Sequence, residues 1–201
     1  MVDMKLFGKW DFDVNVPDRG MARYISLEPI YYPNTAGRQH SKLFAKSKMN
    51  IVERLLNRLM RSGQGTKKLK GRYIRGVGNT GNKQNAYKTI ISAFEIIEKR
   101  TKKNPMQVLV DAIVNSGPSE ETTTIIYGGI KHHQAIDVSP QRRVDFGLKY
   151  ISLGALANSF SVKKSLEEAL ADEIMLAANN DNKSFAISRK EEVERIAKSA
   201  R

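Results

Sequence analysis

The sequence contains no cysteine, and only three histidines and one tryptophan occur among its 201 residues. Without cysteine, neither a disulfide framework nor a thiolate metal site can form. No run of eighteen apolar residues is present, and the opening MVDMKLFGKWDFDV mixes acidic with apolar residues, so we predict neither a membrane span nor a signal peptide. With 40% hydrophobic residues available for a core, we expect a folded, soluble and intracellular protein.

Positive charge is concentrated in one fifth of the chain. The formal net charge is +13, and residues 38–75 hold 12 basic residues against one acidic residue, Glu53. Such a local excess favours a polyanionic partner, and nucleic acid is favoured over a membrane because no basic amphipathic helix with bulky aromatic anchors accompanies it. The alternative is a surface that only confers solubility, although such surfaces usually mix both signs of charge.

Hydrophobic periodicity and capping residues predict a mainly α-helical protein with a single helical domain of about six helices. Three starts have clear signals: Asn104 precedes Pro105, Ser139 precedes a proline, and Ser165 forms a capping box with Glu168. The predicted helices cover about 47–62, 83–102, 104–117, 139–159 and 165–178, and a last helix is capped by Ser188. Residues 1–37 contain three prolines and are predicted to form an N-terminal extension, and residues 38–201 the helical domain.

Residues 122–138 interrupt the helical pattern. The segment 122–127 is rich in β-branched residues, and 134–138 alternates polar with apolar residues, so both segments are predicted strands. Gly128 and Gly129 provide the positive φ angles that a two-residue turn requires. We therefore predict a β-hairpin that protrudes between the third and fourth helices, with a basic tip suited to a groove or loop of nucleic acid.

Two further segments carry basic residues whose setting suggests phosphate contacts. The first predicted helix has arginines outside its apolar stripe, and a Gly-rich loop with six basic residues from 67 to 83 follows it. Arg142 and Arg143 fall in the first turn of a helix, where the helix dipole disfavours cations. A phosphate partner would remove that cost.

No combination of residues indicates catalysis or metal binding. Adjacent residues of a strand point to opposite faces, so His132 and His133 are poorly placed to hold one metal ion. The glycines of 76–81 are not followed by the Gly-Lys-Ser/Thr of a phosphate-binding loop, and paired glutamates near helix starts are explained by capping. We predict no enzyme, no cofactor, no metal site and no small-molecule substrate.

Several segments, in this order, resemble one family. They are MNIVERLLNRLMRSGQGTKK, NAYKTIISAFEIIEKRTKKNPMQVLVDAIVNSGP, the ribbon around YGG, VSPQRRVDFGLKYI and the closing KSLEEALADEIMLAANNDNKSFAISRKEEVERIAKSAR. Together they resemble the universal small-subunit ribosomal protein family conventionally numbered seven, over about residues 38–201. The 37-residue lead and the Gly-rich basic insert resemble the archaeal and eukaryotic branch of that family.

The resemblance implies a cytoplasmic, ribosomal function. Members bind the 3′ major domain of small-subunit rRNA, organise assembly of the head, and lie near the exit tRNA site, the mRNA path and neighbouring small-subunit proteins. If the rRNA contacts of the family are transferred to the matching positions of this sequence, three segments would face rRNA: the lead into the first helix, the hairpin and the Arg142–Arg143 pair. With the basic insert added, the predicted rRNA-binding residues are Arg38, Lys42, Lys46, Lys48, Lys67, Lys68, Lys70, Arg72, Arg75, Tyr127, Lys131, His132, His133, Arg142 and Arg143.

Two other functions are compatible with parts of the pattern. Helices with a basic β-arm also suit a DNA-bending architectural protein, although such arms commonly place an apolar wedge or a proline at the tip. An RNA-modifying enzyme would need a cofactor loop or a catalytic cluster, and the sequence offers neither. Sequencing of the nucleic acid that copurifies with the protein would distinguish these functions.

Overall fold

The structure, a computed structural model, describes residues 4–37, 42–61, 81–160 and 162–201, together with the backbone of 68–69 and 72–73. This part of the chain forms seven α-helices, a 3₁₀ turn at Ala45–Lys48 and two antiparallel strand pairs. The helices are α1 Arg19–Ala22, α2 Ile51–Leu59, α3 Lys83–Thr101, α4 Pro105–Ser116, α5 Pro140–Ser159, α6 Leu166–Ala178 and α7 Phe185–Ser199. The predicted mainly helical domain is confirmed: apart from the four-residue α1, six helices are present in this described part, with a hairpin between the third and fourth of them.

Two helix starts are capped by the residues that the sequence predicts, and α5 begins after Ser139 as predicted but without a side-chain hydrogen bond from that residue. Asn104 Oδ1 accepts from the Met106 N–H at 3.0 Å with Pro105 in the first turn, and Ser165 Oγ accepts from the Glu168 N–H at 3.3 Å. The last helix begins four residues earlier than predicted. Its cap is Ser184, whose buried Oγ accepts from two backbone N–H groups of the first turn of α7, so Ser188 lies inside the helix.

The core lies where α6 packs against α3, α4 and α5. Its fully buried side chains include Phe94 of α3, Leu109 and Ile113 of α4, Leu148 of α5 and Ile174 of α6. The α4–α5 contact is close because Gly147 has no side chain: a Cβ atom there would lie 2.9 Å from the Ile113 carbonyl oxygen. None of the described helices is long and apolar enough to cross a membrane.

Residues 4–37 have little regular structure but contribute to the same core. Leu6 and Met21 are fully buried, and Trp10 is buried against Phe94 with ring centroids 5.4 Å apart. The Trp10 indole N–H also donates to Glu98 Oε2 at 2.9 Å, which anchors the segment on α3. The extension therefore packs on the helices, and the domain boundary at residue 37 stays a prediction.

The predicted hairpin is confirmed and is slightly longer than expected. Strands β3 Glu120–Tyr127 and β4 Ile130–Asp137 pair in register, and Gly128 and Gly129 form the turn with φ angles of 57° and 80°. A short pair, β1 Lys68–Leu69 and β2 Arg72–Tyr73, lies in the basic insert. The root of the hairpin is held by α7, because both the N–H and the hydroxyl of Ser119 donate to Glu194 Oε1 at 2.9 Å.

Candidate nucleic-acid interface

The predicted lysines before α2 lie on or beside the 3₁₀ turn. Lys42 and Lys48 are exposed. Lys46 is about two-thirds buried, and its Nζ donates to Asp145 Oδ2 of α5 at 2.6 Å. The turn and the residues before it therefore present Lys42 and Lys48 to solvent, whereas Lys46 is paired with an acidic residue of a distant helix.

Asp145 is the centre of a cation cluster that joins the 3₁₀ turn, α2 and α5. Besides Lys46, Arg54 Nη2 lies 3.1 Å from Asp145 Oδ1 and Arg58 Nη2 lies 3.9 Å from it. We call these four residues the Asp145 cluster. The prediction that the arginines of this helix lie outside its apolar stripe is wrong for Arg54: its side chain is 2% exposed, and its other Nη donates to the Tyr24 carbonyl oxygen at 2.7 Å.

The charges of the cluster do not balance. Burial by itself would raise the pKa of the Asp145 carboxyl, but the hydrogen bond and charge of Lys46, with those of Arg54, lower that pKa below its ordinary value. Burial lowers the pKa of the Arg54 guanidinium, and Asp145 opposes this shift. The carboxylate is therefore ionised at neutral pH, and three cations surround one anion.

A pocket of about 110 Å³ opens beside the Asp145 cluster, and Arg61 adds a fourth cation to its lining. Guanidinium groups bind phosphate oxygens through charge-assisted, frequently bidentate hydrogen bonds. Arg54 Nε is buried and has no hydrogen-bond partner among the described residues. The net positive charge of this surface suits a phosphate of a nucleic-acid backbone.

Arg142 and Arg143 have protein partners in the first turn of α5. Arg142 Nε lies 2.7 Å from Glu121 Oε1, and its guanidinium carbon is 4.7 Å from the Phe146 ring centroid. Arg143 Nη1 lies 2.8 Å from Asp18 Oδ2. These carboxylates offset the cost of cations at a helix start, so a phosphate is not needed to explain either arginine. Their contact with rRNA stays a prediction.

The hairpin tip is more apolar than the basic tip that the sequence predicts. Tyr127 is 80% exposed, and Ile126 and Ile130 beside it are also mostly exposed, whereas Lys131 is the one lysine or arginine between 122 and 136. His132 pairs with Ile125 across the ribbon, and His133 pairs with Thr124, so the two imidazoles lie on opposite faces as predicted. Among the described residues, no three His, Asp or Glu side chains are grouped so as to hold a metal ion.

Removing the hairpin tip is expected to leave the fold intact. Replacing residues 125–136 with a short Gly-Ser loop removes mostly exposed side chains, so the melting temperature should change by no more than about 2 °C, the size expected of surface changes. Thermal unfolding followed by circular dichroism tests this, and RNA binding by the same variant should weaken. Loss of the cooperative transition would show that the ribbon belongs to the core.

Six of the predicted contacts fall on the basic insert or on residue 38. Arg38, Lys67, Lys70 and Arg75 lie outside the described residues. Lys68 and Arg72 lie in β1 and β2, of which the structure describes the backbone. Their contacts with rRNA stay predictions.

Asp145 was missed by the sequence reasoning, and Arg54 and Arg58 were not among the predicted rRNA-binding residues. One signal was present: Asp145 directly follows Val144 in a helix whose buried stripe contains Val144 and Leu148. An acidic residue at the edge of such a stripe needs a cation nearby. The sequence does not indicate which of the 34 lysines and arginines supplies it.

Comparison with known proteins identifies the family of this chain. The family model described as ribosomal protein S7p/S5e matches residues 21–201. The chain is 52% identical over 196 residues to the small ribosomal subunit protein uS7 of Methanothermobacter thermautotrophicus, covering 97% of this chain and 98% of that relative. It is also 52% identical over 199 residues to the protein of the same description from Nanoarchaeum equitans, covering 98% and 99%. Both relatives are archaeal, as the lead and the insert predicted, and the chain belongs to the ribosomal protein S7p/S5e family.

Proposed function

We propose that this chain is a structural protein of the small ribosomal subunit that binds the rRNA of that subunit directly. The observation that carries the proposal is the Asp145 cluster with its pocket, where three basic side chains surround one carboxylate and a fourth, Arg61, lines the pocket. The curated relatives are named small ribosomal subunit proteins. As a ribosomal protein, the chain is not an enzyme and is part of the cytoplasmic ribosome.

The mechanism is neutralisation of converging phosphates on a rigid frame. Lys42 and Lys48 are exposed close in sequence to Lys46 of the cluster, and the exposed Arg61 lines the pocket beside it, so each can replace a counterion of the RNA backbone. Arg54 cannot move freely, since the Tyr24 carbonyl and Asp145 both hold its guanidinium. A fixed array of cations on packed helices recognises the shape of a folded RNA rather than its sequence.

The finer parts of the function are proposals of the same kind. We propose that the RNA is the 3′ major domain, that binding organises assembly of the subunit head, and that the protein lies near the exit tRNA site, the mRNA path and neighbouring small-subunit proteins. The half-exposed Arg142 and the exposed Tyr127, Lys131, His132 and His133 would contact that RNA. Membership of a ribosomal protein family disfavours both the DNA-bending protein and the RNA-modifying enzyme.

The salt dependence of binding tests the proposal. Changing Lys42, Lys48 and Arg61 together to Gln should lower the slope of log affinity against log salt by roughly 0.7 to 0.9 for each phosphate that is no longer neutralised, or about 2 in all. The ligand is a transcript of the 3′ major domain, and affinity is measured by filter binding over a salt series. Lys42 and Lys48 are exposed and Arg61 is exposed beyond the end of α2, so the melting temperature should not change.

The matched control removes the same charge elsewhere. Lys99, Lys102 and Lys103 at the end of α3 are also exposed, and changing them to Gln should leave the slope at its wild-type value. Equal slopes for all three proteins would mean that the cations around the Asp145 cluster only solvate the surface. The proposal would then be wrong for this face of the molecule.

A further inference from the structure

A groove of about 530 Å³ lies next to the Asp145 cluster, between residues 23–28 and the 3₁₀ turn. Tyr24 connects the two sites, because it lines this groove and its carbonyl oxygen accepts from Arg54 of the cluster. Its lining includes two aromatic residues, Tyr24 and Phe44, and three charged residues, Arg23, Glu28 and Lys48. We call it the aromatic groove. Its volume lies within the range of roughly 300–1,000 Å³ that is usual for small-molecule sites.

The aromatic groove exposes a ring that a folded protein would ordinarily bury. Phe44 is 58% exposed and the preceding Leu43 is 89% exposed. The Phe44 and Tyr24 rings are inclined by 54° with centroids 6.5 Å apart, so they are not stacked face to face. Phe44 also has a φ of 58°, in the left-handed region that bulky residues rarely occupy. The backbone thus holds an apolar ring toward solvent at a conformational cost, a combination typical of binding sites.

Positive charge at the rim indicates what this ring binds. Arg23 and Lys48 are exposed, and neither forms an ion pair with a described residue. Glu28 is the one acidic residue in the lining of the groove, so the net charge there is positive, and Lys42 lies nearby in the sequence. Aromatic faces combined with a positively charged groove are how proteins hold single-stranded RNA: the rings stack on bases, and the cations follow the phosphates.

We propose that the aromatic groove binds one unstacked nucleotide of a single-stranded RNA segment. The base stacks on Phe44, and Arg23 and Lys48 hold the adjoining phosphates. This inference rests on the proposed function, that the chain binds rRNA, and adds to it a specific element: the bound RNA has a looped-out or single-stranded nucleotide beside the phosphates of the Asp145 cluster. Tyr24 supports one side of the groove, and its role is that of a positioning residue.

Tryptophan fluorescence reports stacking directly. The native Trp10 is 3% exposed, so its emission should not respond to RNA. In F44W, an exposed indole replaces the exposed phenyl ring, and stacking of a base should quench its emission on addition of single-stranded hexauridylate or of the 3′ major domain transcript. The control is F160W, because Phe160 is 54% exposed and lies outside the groove. Its emission should not change at the same RNA concentrations.

Affinity separates stacking from charge. F44L keeps an apolar side chain but removes the ring, and the Kd for the transcript should rise about ten-fold, as expected for loss of one base–aromatic stack. The salt slope should not change, because stacking releases no counterions. F160L should leave both quantities unchanged. Cooperative melting of all four variants is checked first. Because Phe44 and Phe160 are both exposed, we expect the substitutions to leave the fold intact.

The two hypotheses fail in different ways. If wild-type protein does not bind the transcript, the proposed function is wrong. If wild-type protein binds but F44W is not quenched at saturating RNA, or F44L binds as tightly as F160L, the aromatic groove is not a base site and the proposed function stands. A loss of affinity in F44L accompanied by a smaller salt slope would also overturn the inference, since it would show that the ring only orients the cations.

Discussion

Replacing Asp145 with alanine is expected to lower the free energy of unfolding by about 3 kcal/mol, which for a chain of this size lowers the melting temperature by roughly 6–12 °C. The cause is Arg54. Its guanidinium is 2% exposed and loses its one charged partner among the described residues, so an uncompensated cation stays buried between α2 and α5. Removing one partner of a buried pair usually costs about 3–5 kcal/mol, and the partial exposure of Asp145 favours the lower end of that range.

Asp172 provides a matched control. Its side chain is 26% exposed, close to the 23% of Asp145, and it also pairs with more than one cation, here Arg100 and Lys164. Those cations, however, reach solvent, at 50% and 34% exposure. D172A should therefore cost less than about 1 kcal/mol, the value typical of surface ion pairs. Chemical denaturation of both variants measures the difference, and equal losses would show that burial of Arg54 does not decide the effect.

The same carboxylate makes stability depend on pH in a defined direction. The folded protein holds the pKa of Asp145 below its ordinary value of about 3.9. The contribution of this carboxylate to the free energy of unfolding is therefore complete above that value. It is lost as the pH falls through the lowered pKa. D145N lacks this titration, and its unfolding free energy should decline less than that of the wild type below about pH 4. If the unfolding free energies of wild type and D145N decline in parallel as the pH falls, Asp145 is not the source of this pH dependence.

Local signals explain why much of the fold was predictable. A helix start depends on a few neighbouring residues, so Asn104 with Pro105, and Ser165 with Glu168, could be recognised from the sequence. The hairpin turn likewise depends on Gly128 and Gly129, because both adopt positive φ angles. In each case, residues only a few positions apart make the decisive hydrogen bonds.

Contacts between distant residues explain what was not predictable. Arg54 lies 91 positions from Asp145, and periodicity alone placed it on the basic surface of its helix. The start of α7 was wrong for the same reason: Ser184 outcompetes Ser188 as the cap because Glu173 of α6 holds it in place. A capping box was visible at Ser188, but the tertiary contact that selects Ser184 was not. The predicted rRNA residues were chosen by charge and by their position in the family resemblance. Neither criterion distinguishes a cation that is free from one already paired with a protein carboxylate.

Glu173 is a second buried acidic residue that joins two elements of the fold. It is fully buried, and its Oε1 accepts from Ser184 Oγ at 2.7 Å and from the Ala186 N–H at 2.9 Å. It thereby joins α6 to the first turn of α7. The space is filled closely: a Cβ atom on Gly154 of α5 would lie 2.7 Å from Glu173 Cδ. Nothing local in the sequence marks this residue, since it follows Asp172 on a helix with several acidic residues.

Replacing Glu173 with alanine is expected to cost about 3 kcal/mol of unfolding free energy, because hydrogen bonds to a charged acceptor contribute about 1.5–3 kcal/mol each and a cavity is left behind. The loss should be greatest in α7. Since α7 also holds the hairpin root through Glu194 and Ser119, amide hydrogen exchange should accelerate in both elements more than in α3 or α4.

Two variants serve as controls. E173Q keeps an oxygen acceptor of the same shape, so its unfolding free energy should fall less than that of E173A. E168A, on an exposed turn of the same helix, should lose under about 1 kcal/mol of unfolding free energy. If hydrogen exchange accelerates uniformly over the whole chain, this carboxylate does not hold α7 separately. If E173A melts at the same temperature as the wild type, the buried hydrogen bonds contribute no net stability.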